Sequence, residues 1–254
     1  MKSRLKMSGL HFSASACVLL LVLGGIYFGW YRWPGWYLTG VVRVLPIIVA
    51  VDLVLGPLLT LIIANPRKSS RELARDIACI AVVQLVALSY GAITLWKGRP
   101  LYYTYSAGEL SVTQGSELQP EQIALARQNN PEFAPHWYSL PSWVWAALPQ
   151  DPKASNAILF SALKGGPDVT AMPVYFKPWP QGLQELRARL KKVSDLQHYF
   201  SGPQRDELTK RMHEYGLDPD SPDTLPMTAR GASIPLLAVF DPKTLQIKAL
   251  LQPG

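Results

Sequence analysis

Residues 41–64 read VVRVLPIIVAVDLVLGPLLTLIIA, an apolar run that carries Arg43 near one end, Asp52 in its middle and Gly56-Pro57 one turn later. A run of similar length lies on either side. Residues 10–30, LHFSASACVLLLVLGGIYFGW, contain no Lys, Arg, Asp or Glu, and residues 77–96, IACIAVVQLVALSYGAITLW, have Gln84 as their strongly polar interruption. A helix needs about 20 residues to cross a bilayer. Three such runs joined by short basic loops predict three transmembrane helices at 10–96 rather than the core helices of a soluble protein.

Composition points the same way. The chain has 254 residues, 48% of them hydrophobic and 17% charged, a charged share below the roughly 25% usual for soluble domains. The apolar excess sits in the first hundred residues. Lys2, Arg4 and Lys6 ahead of the first run imitate the basic region of a secretory signal. Ile26, Tyr27, Phe28 and Trp30 follow its apolar core where a cleavage site needs small residues, so the run reads as a retained anchor. Ala14-Ser15-Ala16-Cys17 imitates a lipoprotein cleavage box but precedes most of the apolar run; Cys17 reads as a lipid-facing or packed thiol.

Positive loops stay cytoplasmic. Lys2, Arg4 and Lys6 precede span one, and Arg67, Lys68, Arg71 and Arg75 link spans two and three, whereas the first link holds Arg32 and Arg43. Residues 1–9 and the loop 65–75 are therefore expected in the cytoplasm of a bacterium, the anchor in its inner membrane, and 97–254 in the periplasm. Tyr27, Trp30, Tyr31, Trp33, Trp36, Tyr37 and Trp96 then fall at the outer interface, where amphipathic rings prefer to lie. Residues 1–96 carry nine Lys or Arg against Asp52, Glu72 and Asp76, and 97–254 carry sixteen against fifteen acids. The net charge of +7 is thus a topology signal, and no nucleic-acid partner is expected.

The outer domain has 158 residues and no cysteine, since Cys17 and Cys79 both lie in the apolar runs. It must fold on its core, and it is long enough to do so. Its pattern is α+β. Leu101–Tyr105 and Glu109–Thr113 form a hairpin around Ala107-Gly108, and 233–240 with 245–251 form a second, terminal hairpin around Asp241-Pro242-Lys243-Thr244. Helices are expected over 120–128, over 153–164 with Asp151-Pro152 as its start and Gly165-Gly166 as its stop, and near 181–192 and 203–215. Residues 137–148 read as an irregular strand.

Chemical motifs are scarce. The histidines make no metal pair on a helix, and neither a phosphate loop nor a GxSxG elbow occurs. Asp218-Pro219-Asp220 with Asp223 imitates a calcium loop, but its prolines and missing final Glu make it a solvated turn. No metal, cofactor or enzymatic activity is expected. Within the apolar runs, Asp52 is the informative residue, because an ionisable group at mid-bilayer faces a partner or a path. Asp52 and Gln84 lie eleven and twelve residues from the outer ends of their runs, roughly 16 to 18 Å deep at the helical rise, so an interhelical hydrogen bond is allowed. Gly56 and Pro57 would bend the second helix and open backbone carbonyls at the same level.

At this segment the sequence becomes recognisable. Val51-Asp52-Leu53-Val54-Leu55-Gly56-Pro57-Leu58-Leu59-Thr60, then Asn65-Pro66-Arg67-Lys68, Arg71-Glu72-Leu73, Val83-Gln84-Leu85, Tyr90-Gly91, Arg99-Pro100, Leu225-Pro226-Met227 and Ala229-Arg230, resembles the TfpX/TfpZ family of type IV pilin accessory proteins. The resemblance extends over the whole chain and departs at Gly231-Ala232 and at the Asp241–Thr244 turn. It implies a non-enzymatic inner-membrane helper that promotes assembly of its cognate type IV pilin, with the bilayer and other pilus assembly proteins as further partners. Asp52, Gly56, Pro57 and Gln84 are the candidate partner-binding residues. Two other classes stay open: an ion-coupled transport or membrane-complex subunit built on Asp52, and a periplasmic enzyme suggested only by the aromatic stretch Trp137–Trp145.

Overall fold

The computed structural model describes residues 2–63, 68–230, 232 and 234–254; the motif residues Asn65, Pro66, Arg67 and Gly231 and the strand position Ser233 lie outside them. The chain forms two compact units. One comprises 1–32 with 40–98, and the other comprises 33–39 with 99–254.

The first unit contains three helices long and apolar enough to cross a membrane, spanning Arg4–Gly29, Val41–Ile63 and Ser70–Lys97. Helix α1 is Lys2–Gly29. The second run is composite. It opens with a 3₁₀ turn at Val41–Arg43, continues as α3 (Leu45–Ala50), widens into a π-helical stretch at Val51–Leu55 and ends as α4 (Gly56–Ile63). Helix α5 is Ser70–Lys97, so 70–75 is helical where the charge pattern suggests a loop. A capping box explains the early start: Glu72 N–H donates to Ser69 Oγ at 3.3 Å and Ser69 N–H to Glu72 Oε2 at 3.0 Å.

The second unit is a seven-stranded sheet with helices on its faces. Its strands are β1 Pro100–Ser106, β2 Glu109–Gln114, β3 Ser142–Ala146, β4 Phe176–Pro178, β5 Thr224–Ala229, β6 Leu236–Phe240 and β7 Ile247–Leu251, in the order β4-β3-β1-β2-β5-β6-β7. The β1–β3 and β2–β5 pairs are parallel and the others antiparallel. Ala107 and Gly108 both take positive φ (50° and 91°), as the tight turn between β1 and β2 requires.

Strand alternation sends Tyr103, Tyr105, Leu110, Val112, Leu225, Met227, Leu236, Ala238 and Phe240 into one core. Leu186 of α8 (Leu183–Arg189) closes it, as does Leu38 of the short helix α2 (Gly35–Leu38). The segment 33–39, expected to belong with the anchor, thus belongs to this unit. Gly35 hydrogen-bonds the Tyr103 hydroxyl, whose burial pushes its pKa up to about 12. The intervening residues Leu237 and Val239 face the opposite side, under Leu208 and Met212 of α9 (Gly202–Glu214). Val144 and Ala146 pack with Ile158 of α7 (Pro152–Leu163). Helix α6 is Pro120–Asn129.

Several expectations shift. The strand expected over 137–148 is confined to Ser142–Ala146, and the helix near 181–192 shortens to α8 behind a 3₁₀ turn at Trp179–Gly182. Helix α7 starts as expected, with Asp151 accepting from Lys153 and Ala154 N–H. In the last hairpin Asp241 Oδ1 accepts from Lys243 and Thr244 N–H, each at 2.9 Å, and Leu245 takes φ 55°. A side-chain cap and one left-handed leucine do there what a glycine turn would do.

Candidate functional site

The site forms where the π-helical stretch interrupts the second apolar helix. Gly56 N–H, the first beyond the stretch, donates to Val51 C=O rather than to Asp52 C=O. In the π register the donor for Asp52 C=O would be residue 57, which is proline and has no N–H. Gln84 of α5 supplies the missing donor: its Nε2 lies 3.0 Å from the Asp52 carbonyl oxygen. A Cβ on Gly56 would collide with that carboxamide, so glycine is what admits it.

The network continues into α1. Gln84 Oε1 lies 2.5 Å from His11 Nε2, and His11 Nδ1 lies 2.6 Å from Thr60 Oγ1. With its hydrogen on Nε2 the imidazole donates to Gln84 and accepts from the threonine hydroxyl, which satisfies both ring nitrogens. Ser8 Oγ donates to the Pro57 carbonyl at 2.8 Å. One hydrogen-bonded chain therefore joins all three apolar helices.

The four candidates Asp52, Gly56, Pro57 and Gln84 are gathered in one place. Asp52 and Gln84 do bond, but through the Asp52 backbone carbonyl and not its carboxylate. Asp52 is 4% exposed, and its Oδ2 has no hydrogen-bond partner among the described residues. It lines a cavity of about 340 Å³ whose wall also includes His11, Ser15, Thr60 and Gln84 among apolar side chains such as Leu10, Val18, Leu85 and Leu88. Sequence reasoning missed His11 and Thr60. His11 stands in a run without formal charge, and its partners are 49 and 73 positions away.

The sheet domain offers a more polar cleft of about 430 Å³ along Thr228, Ser111 and Asp168. Its acids are held in structural roles. Glu109 is bonded to the Tyr199 hydroxyl, Asp168 accepts from Val169 N–H at 2.7 Å, and Glu117 accepts from Gln114 N–H at 3.2 Å. Among the described residues no group of three His, Cys, Asp or Glu is placed to hold a metal ion.

No family model and no solved structure matches the chain. Curated relatives do. A fimbrial assembly protein, serogroup I, of Dichelobacter nodosus is 24% identical over 227 residues, covering 88% of this chain and 86% of the relative, and the serogroup E1 protein aligns equally. The fimbrial assembly protein of serogroups C1 and C2 is 31% identical over 121 residues, 48% of this chain and 92% of the relative. The chain belongs to this fimbrial assembly protein family. Membership accords with an assembly role rather than catalysis, and the family signal spans both units, because the longer alignments cover most of the chain.

Proposed function

We propose that the chain is a non-enzymatic inner-membrane accessory factor that promotes assembly of a cognate type IV pilin by contacting pilin stored in the membrane. In this reading α1, the composite second helix and α5 cross the bilayer with the N-terminus in the cytoplasm, and the sheet domain stands in the periplasm. The exposed apolar side chains along these helices, Leu20 and Leu21 at 73% and Val83 at 66%, favour a lipid solvent. Lys and Arg at the N-terminus and between the second and third helices favour the orientation.

The observation that carries the site is Asp52 Oδ2, buried without a hydrogen-bond partner among the described residues at the wall of a largely apolar cavity. A polar group kept unsatisfied among apolar helices costs stability, which a docking helix that brings a hydrogen-bond donor would recover. A carboxylate on the docking helix would meet this requirement only with one of the two carboxyls protonated.

The test is a photo-cross-linking amino acid at Leu85, which lines the cavity, in intact cells with the attached proteins identified by mass spectrometry. Pilin at this position supports the reading. Another membrane complex in its place overturns it and favours the transport class built on Asp52. An Asp52→Asn protein that accumulates normally and leaves piliation unchanged removes Asp52 from the contact.

A further inference from the structure

The sheet domain carries a turn that keeps large apolar and aromatic side chains exposed. Between α6 and β3, Trp137, Tyr138 and Leu140 are 73%, 58% and 63% exposed. The turn is nonetheless well defined. His136 N–H donates to Ser139 Oγ at 2.8 Å, Ser139 N–H donates to the His136 carbonyl at 3.2 Å, and the His136 and Tyr138 rings stack at 5.3 Å. Trp137 packs edge-on against Tyr138. The backbone is thus fixed so that three large side chains project outward together.

Its location in the chain names the occupant. Arg99, buried at 4% exposure, donates from Nη2 to the His136 carbonyl at 3.1 Å. Arg99 is two residues beyond Lys97, the last residue of α5, and two residues span at most about 7 Å of extended chain. The turn is therefore hydrogen-bonded to a residue two positions after the chain's third apolar helix ends. Trp and Tyr are the side chains that settle at the boundary between hydrocarbon and headgroups, apolar on the ring and polar at the edge. From this juxtaposition we propose that the 136–140 turn inserts into the outer headgroup region of the bilayer and docks the sheet domain on the lipid surface. The proposal rests on the membrane reading above.

The experiment uses the full chain in nanodiscs of phosphatidylethanolamine and phosphatidylglycerol. An environment-sensitive fluorophore is placed at Leu140→Cys in a background with Cys17 and Cys79 replaced by serine. In a second protein it is placed on native Cys79, which is exposed on α5, with Cys17 replaced. The expected result at 140 is blue-shifted emission, most of which is lost when the lipids carry a nitroxide high on the acyl chain and little of which is lost to iodide in the water. Aqueous emission at 140, unquenched by lipid, with the Cys79 probe quenched overturns the docking and leaves the spans intact. Blue-shifted emission that lipid nitroxides do not reach means that protein covers the turn, and overturns it equally. A Cys79 probe that lipid nitroxides fail to quench overturns the membrane reading and the docking with it.

Discussion

The two units are built with opposite polarity. In the helical unit Asp52, Thr60 and Gln84 are buried, at 4%, 1% and 8% exposure, while leucines and valines face outward. In the sheet domain Tyr105, Leu110, Phe240 and Met212 are buried, and α9 turns Asp206, Lys210 and Glu214 out to the surface. The difference shows what holds each unit together. In the proposed membrane setting lipid removes the hydrophobic drive between helices, so their specificity comes from close packing and hydrogen bonds. The sheet domain has no cysteine and depends on the removal of apolar area from water.

The comparison breaks first if the sheet domain does not behave as a water-solvated core. Phe240 is 1% exposed and packs among Leu236, Met227 and Leu225. Phe240→Ala should destabilise the domain by about 3–5 kcal/mol, the range for deleting a buried aromatic side chain. Pulse proteolysis of the full chain across a urea series reads this as a lowered midpoint for cleavage after residue 99.

In the helical unit a polar deletion should matter more than an apolar one. Gln84→Leu removes the donor for the Asp52 carbonyl and the acceptor for His11, at a cost of about 1–2 kcal/mol for an interhelical hydrogen bond of this kind. Val83→Ala, next to it but outward-facing, should leave stability nearly unchanged. Gly56→Ala should reproduce the Gln84→Leu loss by displacing the carboxamide, and the double variant should cost little more than either, because both act on one contact. Unfolding of the lipid-embedded protein measures all four. Additive losses would mean that Gly56 acts through helix packing alone.

The sequence made part of this arrangement legible. Apolar run length located the three helices, and counting residues from their ends put Asp52 and Gln84 at one level. It did not reveal that the acceptor is a backbone carbonyl, because that depends on the π-helical stretch, and a π register differs from an α register by one residue over a turn. Strand β5 was hidden by Pro226, since proline is unfavourable inside a ladder. Its pairing with β2 begins only at Met227, so the missing N–H falls outside that ladder. The segment 33–39 reads as a short link between two spans, whereas Leu38 and Tyr103, 65 positions apart, share one core. Contacts at such separation leave no local pattern to read.

A smaller effect separates the two ways in which a helix begins. Helix α5 opens on a capping box and carries charge in its first turns, with Lys68 bonded to Asp76 at 2.6 Å. Ser69→Ala should cost about 1 kcal/mol, and the exposed pair should add little at physiological salt. Amide exchange confined to residues 70–74 would register the loss, with the network around Gln84 unchanged.

The smallest effect is a pH dependence that belongs to the sheet domain alone. Burial of Glu117 raises its pKa above the ordinary 4.5, against the opposing pull of Gln114 N–H and Arg230. As pH rises through the ordinary carboxyl range the unfolded chain releases this proton before the folded one does. The folded state then binds more protons, and stability falls with rising pH until the folded carboxyl has also ionised. Glu117→Gln keeps an oxygen that can accept from Gln114 N–H and removes the titration. It should flatten the stability of the sheet domain between the ordinary and the raised pKa and make the domain slightly more stable than the parent above that window. Cleavage midpoints at a series of pH values measure it. An unchanged slope would mean that the Glu117 carboxyl is solvated in the cleft and that its charge is carried there without cost.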